Sequence, residues 1–107
     1  MASKKNSGNG TERKEDIQVL ERTKKPKKYK VVLHNDDFTP MEFVVYVLEQ
    51  IFHHSPASAT RVMLSVHHSG IGTAGVYNHE IAEAKTTRTT RLAREAGYPL
   101  MVTTEPE

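Results

Sequence analysis

Two helix-start signals divide the sequence and restrict the folds open to it. Thr39-Pro40 and Ser55-Pro56 each place a hydroxyl side chain where an N-cap belongs and a proline at the first helical position. Apolar residues at helical spacing follow both signals, and Gly70 stops the second run. The sequence therefore predicts one helix from Pro40 to about His53, with Thr39 as its N-cap, and a second helix from Pro56 to His68.

Three short apolar runs are typical of strands. They are Tyr29–His34, Ile71–Tyr77 and Tyr98–Thr104, each rich in apolar or β-branched residues. A further helix is predicted between the last two runs, because Asn78 is a favourable N-cap and Gly97 a favourable end. The order β-α-α-β-α-β predicts an α+β fold, in which a small three-stranded antiparallel sheet packs against three helices.

The first 28 residues differ in composition from the rest. They hold nine Lys or Arg and four acids, a net charge of +5, whereas residues 29–107 hold six Lys or Arg and nine acids, a net charge of −3. The first segment has few apolar residues, so it cannot bury enough surface to offset the loss of chain entropy. We predict a flexible basic arm over residues 1–28 and a folded domain over residues 29–107.

The composition excludes several functional classes. Without cysteine the chain has no disulfide framework, thiolate metal site or cysteine nucleophile. No apolar run approaches the roughly 20 residues of a membrane helix, and the N-terminus lacks the apolar core of a secretory signal. Neither a G-x-S-x-G turn nor a phosphate-binding G-x-x-x-x-G-K-[ST] loop is present. We expect a cytoplasmic protein that is not an enzyme and needs no cofactor.

Two acids and an amide, Asn35-Asp36-Asp37, follow the first predicted strand directly. In one interpretation they only make a turn, because Asn and Asp side chains hydrogen-bond their own backbone. In the other, a partly desolvated carboxylate near a helix start captures an ammonium group. Apolar residues on the two helices that follow favour capture, since methionine suits a pocket that accepts varied shapes, although plain core packing would also explain them: Met41, Val44, Met63 and Val66.

The pairs His53-His54 and His67-His68 raise the question of a metal site. Zinc-binding helices usually place two ligands four residues apart, whereas adjacent histidines point to different helix faces. We therefore expect no bound metal. His67 follows Val66 at the edge of the apolar stripe, where it is either a donor or acceptor at a pocket mouth or an ordinary surface histidine.

The run from Asn35 to Val44, NDDFTPMEFV, is specific as a whole. It closely resembles the NDD-(Y/F)-TPMEFV signature of ClpS, the bacterial adaptor family of the Clp protease. The resemblance covers about Tyr29 to Thr104, in order and at the expected spacing, and further matching segments carry it: Ala59–His67, Gly75–Tyr77, Glu80–Lys85 and Pro99-Leu100.

This resemblance implies an adaptor. Members of the family recognise N-degrons, which are proteins whose first residue is Phe, Tyr, Trp or Leu, and deliver them to the ClpA unfoldase of ClpAP. The implied partners are N-degrons and a ClpA-type AAA+ unfoldase, with no nucleic acid or membrane, and the family acts as monomers. The alternative is a nucleic-acid or ribosome-associated protein that binds through the basic arm. We disfavour it because residues 1–28 contain no aromatic side chain to stack on bases.

The resemblance also implies the roles of individual residues. The free α-amino group of the substrate would be held by Asn35, Asp36 and His67, with Asp37 in support. The pocket for the first side chain would be formed by Thr39, Met41, Val44, Met63, Val66 and Leu100, of which Met41 restricts access by β-branched side chains. The unfoldase would meet Glu80 and Lys85, and residues 1–28 would engage it during delivery.

Overall fold

The computed structural model describes residues 27–107, so most of the predicted basic arm lies outside the described part. The arm and its boundary with the domain therefore remain predictions. The elements occur in the predicted order, as strand β1, helices α1 and α2, strand β2, helix α3 and strand β3. Their bounds are Lys28–His34, Met41–Gln50, Pro56–Ser69, Ile71–Asn78, His79–Glu95 and Met101–Pro106.

The sheet has the strand order β2-β1-β3, with β1 antiparallel to both neighbours. One face of the sheet packs on the helices, and the predicted α+β architecture is confirmed. The core lies between these layers, and its largest fully buried side chains include Leu33, Leu48, Ile51 and Leu100. Val31 and Leu33 of the central strand belong to this core, and Val32 between them is buried as well, so the apolar run in the sequence is unbroken.

Strand β2 carries a bulge at Ala74. Val32 pairs with Thr73 and Val31 with Gly75, so Ala74 has no partner across the ladder. Its carbonyl oxygen accepts a hydrogen bond from His54 Nε2 at 2.6 Å. The other ring nitrogen of His54 lies 2.7 Å from the Ser58 hydroxyl, which serves as its donor when the imidazole is neutral. This histidine therefore satisfies a backbone group that the bulge removes from the ladder.

Helix α1 begins one residue later than predicted, and Thr39 is not its N-cap. Pro40 occupies the cap position in an extended conformation, with no side-chain cap, and its carbonyl oxygen accepts from Phe43 and Val44. The hydroxyl of Thr39 instead donates to Asp36, a charged and therefore stronger acceptor.

Helix α1 also ends earlier than the predicted end near His53. The helix stops at Gln50, and His53 adopts a left-handed conformation with φ 61°. The N–H of His54 then donates to Leu48 O at 3.0 Å, which closes the helix as a left-handed C-terminal residue usually does.

Strand β3 begins at Met101 instead of at Tyr98, and it continues to Pro106. Tyr98 N–H donates to Ala93 O at 2.8 Å, so the chain is still closing helix α3 there. The guanidinium of Arg94 donates to the carbonyl oxygens of Tyr98 and Leu100, at 3.0 and 2.9 Å. These bonds hold residues 98–100 outside the ladder.

Helix α3 packs through small side chains. Its buried residues are Ala82, Thr89 and Ala93, and Thr86 shares a 2.7 Å hydrogen bond with Thr104 of β3. Thr89 is fully buried, and its hydroxyl has no hydrogen-bond partner among residues 27–107. A buried hydroxyl without a partner lowers the stability of the fold, because its hydrogen bonds to water are lost and not replaced.

Thr89→Val is therefore expected to stabilise the domain. Valine has nearly the shape of threonine and a similar helix propensity, and it removes the unsatisfied hydroxyl. We expect the free energy of unfolding to rise by about 1 kcal/mol in urea denaturation. Thr87→Val, at an exposed position of the same helix, is the control and should change stability little. A loss of stability in Thr89→Val would mean that the hydroxyl is satisfied.

Candidate binding cavity

The loop between β1 and α1 is tied to the end of helix α2. The N–H of Asn35 donates to Gly70 O at 2.9 Å, and Gly70 is the left-handed residue that ends α2. This bond brings the run Asn35-Asp36-Asp37 beside the second half of α2, which carries Met63, Val66 and His67. Two segments about 30 residues apart in sequence thus form one site.

Asp36 holds the loop in shape. Its Oδ1 accepts from the N–H groups of Phe38 and Thr39, at 2.8 and 2.7 Å, and its Oδ2 accepts from the Thr39 hydroxyl at 2.7 Å. This is the turn chemistry expected of aspartate before a helix. Oδ1 has both of its lone pairs in use, whereas Oδ2 can accept one further hydrogen bond.

The charge of Asp36 is stabilised in this position. Partial burial by itself raises the pKa of Asp36, but the Thr39 hydroxyl, the two backbone N–H groups and the positive charge of Arg94 together lower it below its ordinary value of 3.8. A carboxyl with a lowered pKa contributes stability above its ordinary pKa, and that contribution is lost as the pH falls through the lower value. Asp36 is therefore a carboxylate at neutral pH.

A cavity of about 360 Å³ opens between the loop, the start of α1 and the second half of α2. This volume lies in the range of small-ligand sites. Within residues 27–107, no lysine or arginine lines it, and the charge of Arg94 acts on Asp36 from outside the lining. The full set of lining residues is Asn35, Asp36, Asp37, Phe38, Thr39, Pro40, Met41, Val44, Met63, Val66 and His67.

All four residues predicted to hold an amino group line this cavity, and so do five of the six predicted for the side-chain pocket. Leu100 is the sixth, and it belongs to the buried core cluster that also contains Val44 and Val66. The sequence prediction overlooked two lining residues, Phe38 and Pro40. Both lie inside the signature run. The aromatic side chain of Phe38 in an otherwise polar loop could have indicated a lining residue.

The polar part of the lining is rich in acceptors. Asp37 is exposed, and its carboxylate has no ion pair or side-chain hydrogen bond within the part of the chain that the structure describes. His67 is exposed as well, and its ring lies 5.2 Å from that of His68. Together with Asn35 and Asp36, these groups match a ligand that carries several donors and a positive charge.

Two further features are absent from the described residues. Within residues 27–107, no three His, Asp or Glu side chains are arranged to hold a metal ion. Over the same residues, no helix is long and apolar enough to cross a membrane.

Glu80 and Lys85, predicted to face an unfoldase, lie on α3 and do not line the cavity. Glu80 is exposed in the first turn of the helix. The ammonium of Lys85 donates to Ile51 O at 2.7 Å and lies 5.7 and 5.3 Å from the ring centres of Phe52 and Tyr77. Lys85 therefore stabilises the end of α1, where a cation suits the helix dipole.

Comparison with known proteins gives the family of this chain. The family model described as ATP-dependent Clp protease adaptor protein ClpS matches residues 24–103. The chain belongs to the ClpS family. A ClpS adapter protein of Lawsonia intracellularis is 52% identical over 88 residues, which cover 82% of this chain and 81% of the relative. That of Caulobacter vibrioides is 46% identical over 109 residues, and the match covers 100% of both chains.

A solved ClpS structure has the same fold. Agrobacterium tumefaciens ClpS2, bound to L-phenylalaninamide, matches with a TM-score of 0.74 and 50% sequence identity, over 77% of this chain and 99% of that one. The resemblance drawn from the signature run is thereby confirmed. The relatives are named as adapters of the Clp protease, and this chain shares their family.

Proposed function

We propose that this ClpS-family protein binds N-degrons in the cavity and delivers them to a ClpA-type unfoldase. The observation that carries the proposal is one cavity whose wall combines acceptors with apolar side chains and, within residues 27–107, contains no lysine or arginine. An N-terminal Phe, Tyr, Trp or Leu presents the complementary pair, an α-ammonium and a large apolar side chain. L-phenylalaninamide, the ligand of the Agrobacterium relative, has both groups.

The α-ammonium has three N–H donors and one positive charge. Asp36 Oδ2 has room for one hydrogen bond, and the amide oxygen of Asn35 and a neutral His67 ring nitrogen can accept the others. Asp37, whose carboxylate has no partner within residues 27–107, adds a second negative charge close by. Asp36 thus has two tasks, to shape the loop and to receive the charge.

The first side chain of the substrate would enter the apolar part of the cavity. Val44 and Val66 are buried, Met63 is half-buried, and Met41 is 43% exposed, so Met41 can close over a ligand at the mouth. Burying one large side chain here contributes roughly 1.5–3 kcal/mol. The two methionines adapt to aromatic rings and to leucine alike, because their side chains are unbranched and flexible.

Fluorescence anisotropy with three labelled peptides tests the proposal. One begins with free Phe, one is its N-acetyl twin, and one begins with Ile. We expect tight binding of the free Phe peptide alone, since acetylation removes the charge and leaves Asp36 without its partner. Equal binding of the acetylated twin, or no binding of any peptide, would refute the proposal.

Met41→Ala is expected to admit peptides that begin with Ile or Val. Shortening this side chain removes the group that crowds the branched Cβ of such residues. We expect their affinity to rise at least about tenfold, while the affinity for the Phe peptide falls through lost apolar contact. Met63→Ala is the matched control, and it should lower the affinity for Phe without admitting Ile. Continued exclusion of Ile and Val by Met41→Ala would remove the gating role from this residue.

Delivery would use surfaces away from the cavity. We propose that the exposed Glu80 contacts the unfoldase directly, and that Lys85 contributes there while it remains bound to the end of α1. Residues 1–28 would engage the unfoldase during transfer, and the protein would act as a cytoplasmic monomer.

A further inference from the structure

Phe38 is unusually exposed for an aromatic residue. It shows 76% of its surface to solvent, whereas Met101, the next most exposed large apolar side chain in residues 27–107, shows 55%. Its ring forms no aromatic pair among these residues, so packing within the domain does not explain its presence. An exposed ring that also lines the candidate cavity is suited to contact a ligand.

The backbone holds Phe38 in place before any ligand arrives. Its N–H donates to Asp36 Oδ1 at 2.8 Å, and the N–H of the next residue donates to the same oxygen. Pro40, two residues later, is extended with φ −67° and ψ 147°, and it also lines the cavity. The backbone of Phe38 and Pro40 is therefore ordered before a ligand binds, and a ligand that contacts these residues loses little free energy in ordering it.

When the first residue of a substrate occupies the cavity, its second residue lies at the opening of the cavity. Consecutive Cα atoms lie about 3.8 Å apart, so the second side chain begins within one residue of the cavity mouth. Among the lining residues, Phe38 and Pro40 are the two apolar ones to which the proposed function assigns no contact with the amino group or the first side chain.

We propose that Phe38 and Pro40 form a subsite for the second residue of the N-degron, and that this subsite prefers an apolar or aromatic side chain. This inference rests on the proposed function. The ring face of Phe38 and the ring of Pro40 offer apolar contact but no hydrogen-bonding group, so the subsite gains from a large apolar side chain and gains nothing from glycine.

The test combines two peptides with four proteins. The peptides begin with free Phe-Leu and Phe-Gly and are otherwise identical, and binding is followed by anisotropy. The proteins are the wild type, Phe38→Ala, Phe38→Tyr and, as the matched control, Tyr46→Ala. Tyr46 is also an exposed aromatic residue, at 52%, and it does not line this cavity.

We expect Phe38→Ala to weaken the Phe-Leu peptide roughly five- to tenfold and the Phe-Gly peptide less than about twofold. Phe38→Tyr and Tyr46→Ala should match the wild type with both peptides. An equal loss for both peptides in Phe38→Ala, or no loss for either, would overturn the subsite while the proposed function stands. If the wild type bound neither peptide, the proposed function itself would fail. Melting temperatures should stay unchanged, because the Phe38 side chain is exposed.

Discussion

Replacing Asp36 with asparagine is expected to lower the affinity for a free N-terminal Phe peptide by about 10- to 100-fold while the domain remains folded. The amide oxygen of asparagine can keep accepting from the N–H groups of Phe38 and Thr39, so the loop keeps its shape. The negative charge and the free lone pair on Oδ2 are lost. Alanine would also remove the hydrogen bonds of the loop, so asparagine separates binding from loop shape.

The measurement is anisotropy with the Phe peptide, beside a thermal melt of each variant. Asp37→Asn is the matched control, since Asp37 is adjacent and exposed and makes no side-chain hydrogen bond in the described structure. We expect it to cost less affinity than Asp36→Asn. Wild-type affinity in Asp36→Asn would remove Asp36 from the site, and a larger loss in Asp37→Asn would transfer the main ionic contact to Asp37.

The second large effect is expected at Gly72, where helix α2 packs directly on the backbone of β2. A Cβ atom at this position would lie 2.7 Å from Val66 Cγ2 and 3.1 Å from Val62 O. Gly72→Ala should lower the free energy of unfolding by about 1–3 kcal/mol, and the melting temperature by roughly 4–8 °C for each kcal/mol. Because Val66 lines the cavity, we also expect weaker binding of the Phe peptide.

Two comparisons isolate the cause. Thr73→Ala, at the adjacent exposed strand position, should change stability by less than about 0.5 kcal/mol. In a double-mutant cycle, Val66→Ala should relieve part of the crowding, so that the two losses together are smaller than their sum. A gain in stability from Gly72→Ala, as an unstrained glycine site would give, would show that the helix moves away without cost.

The sequence predicted the features that depend on neighbouring residues. Ser55 and Asn78 are N-caps as expected, because each side-chain oxygen accepts from an N–H three residues later. The signature run predicted most of the cavity lining. A hydrogen bond from Asn35 N–H to Gly70 O brings this run beside Met63, Val66 and His67 of α2.

The misassigned N-cap has a physical origin, which is competition between hydrogen-bond partners. Thr39 stands where an N-cap is expected, but its hydroxyl donates to Asp36. Neighbouring residues also did not indicate that the Lys85 ammonium donates to Ile51 O, 34 residues away in the chain, or that Leu100 lies in the core. Such choices depend on which groups the fold brings together, and neighbouring residues do not reveal them. The unfoldase contact of Lys85 and the pocket role of Leu100 stay predictions.

The bulge at Ala74 also bears on how the domain behaves at high concentration. Among residues 27–107, strand β2 is at the edge of the sheet, and Ile71–Asn78 contains no charge and no proline, the usual protections against edge-to-edge association. The bulge interrupts the regular spacing of the ladder, and His54 already occupies the carbonyl oxygen of Ala74. An approaching strand from another molecule would meet an interrupted template at Ala74, so the bulge protects this uncharged edge against association.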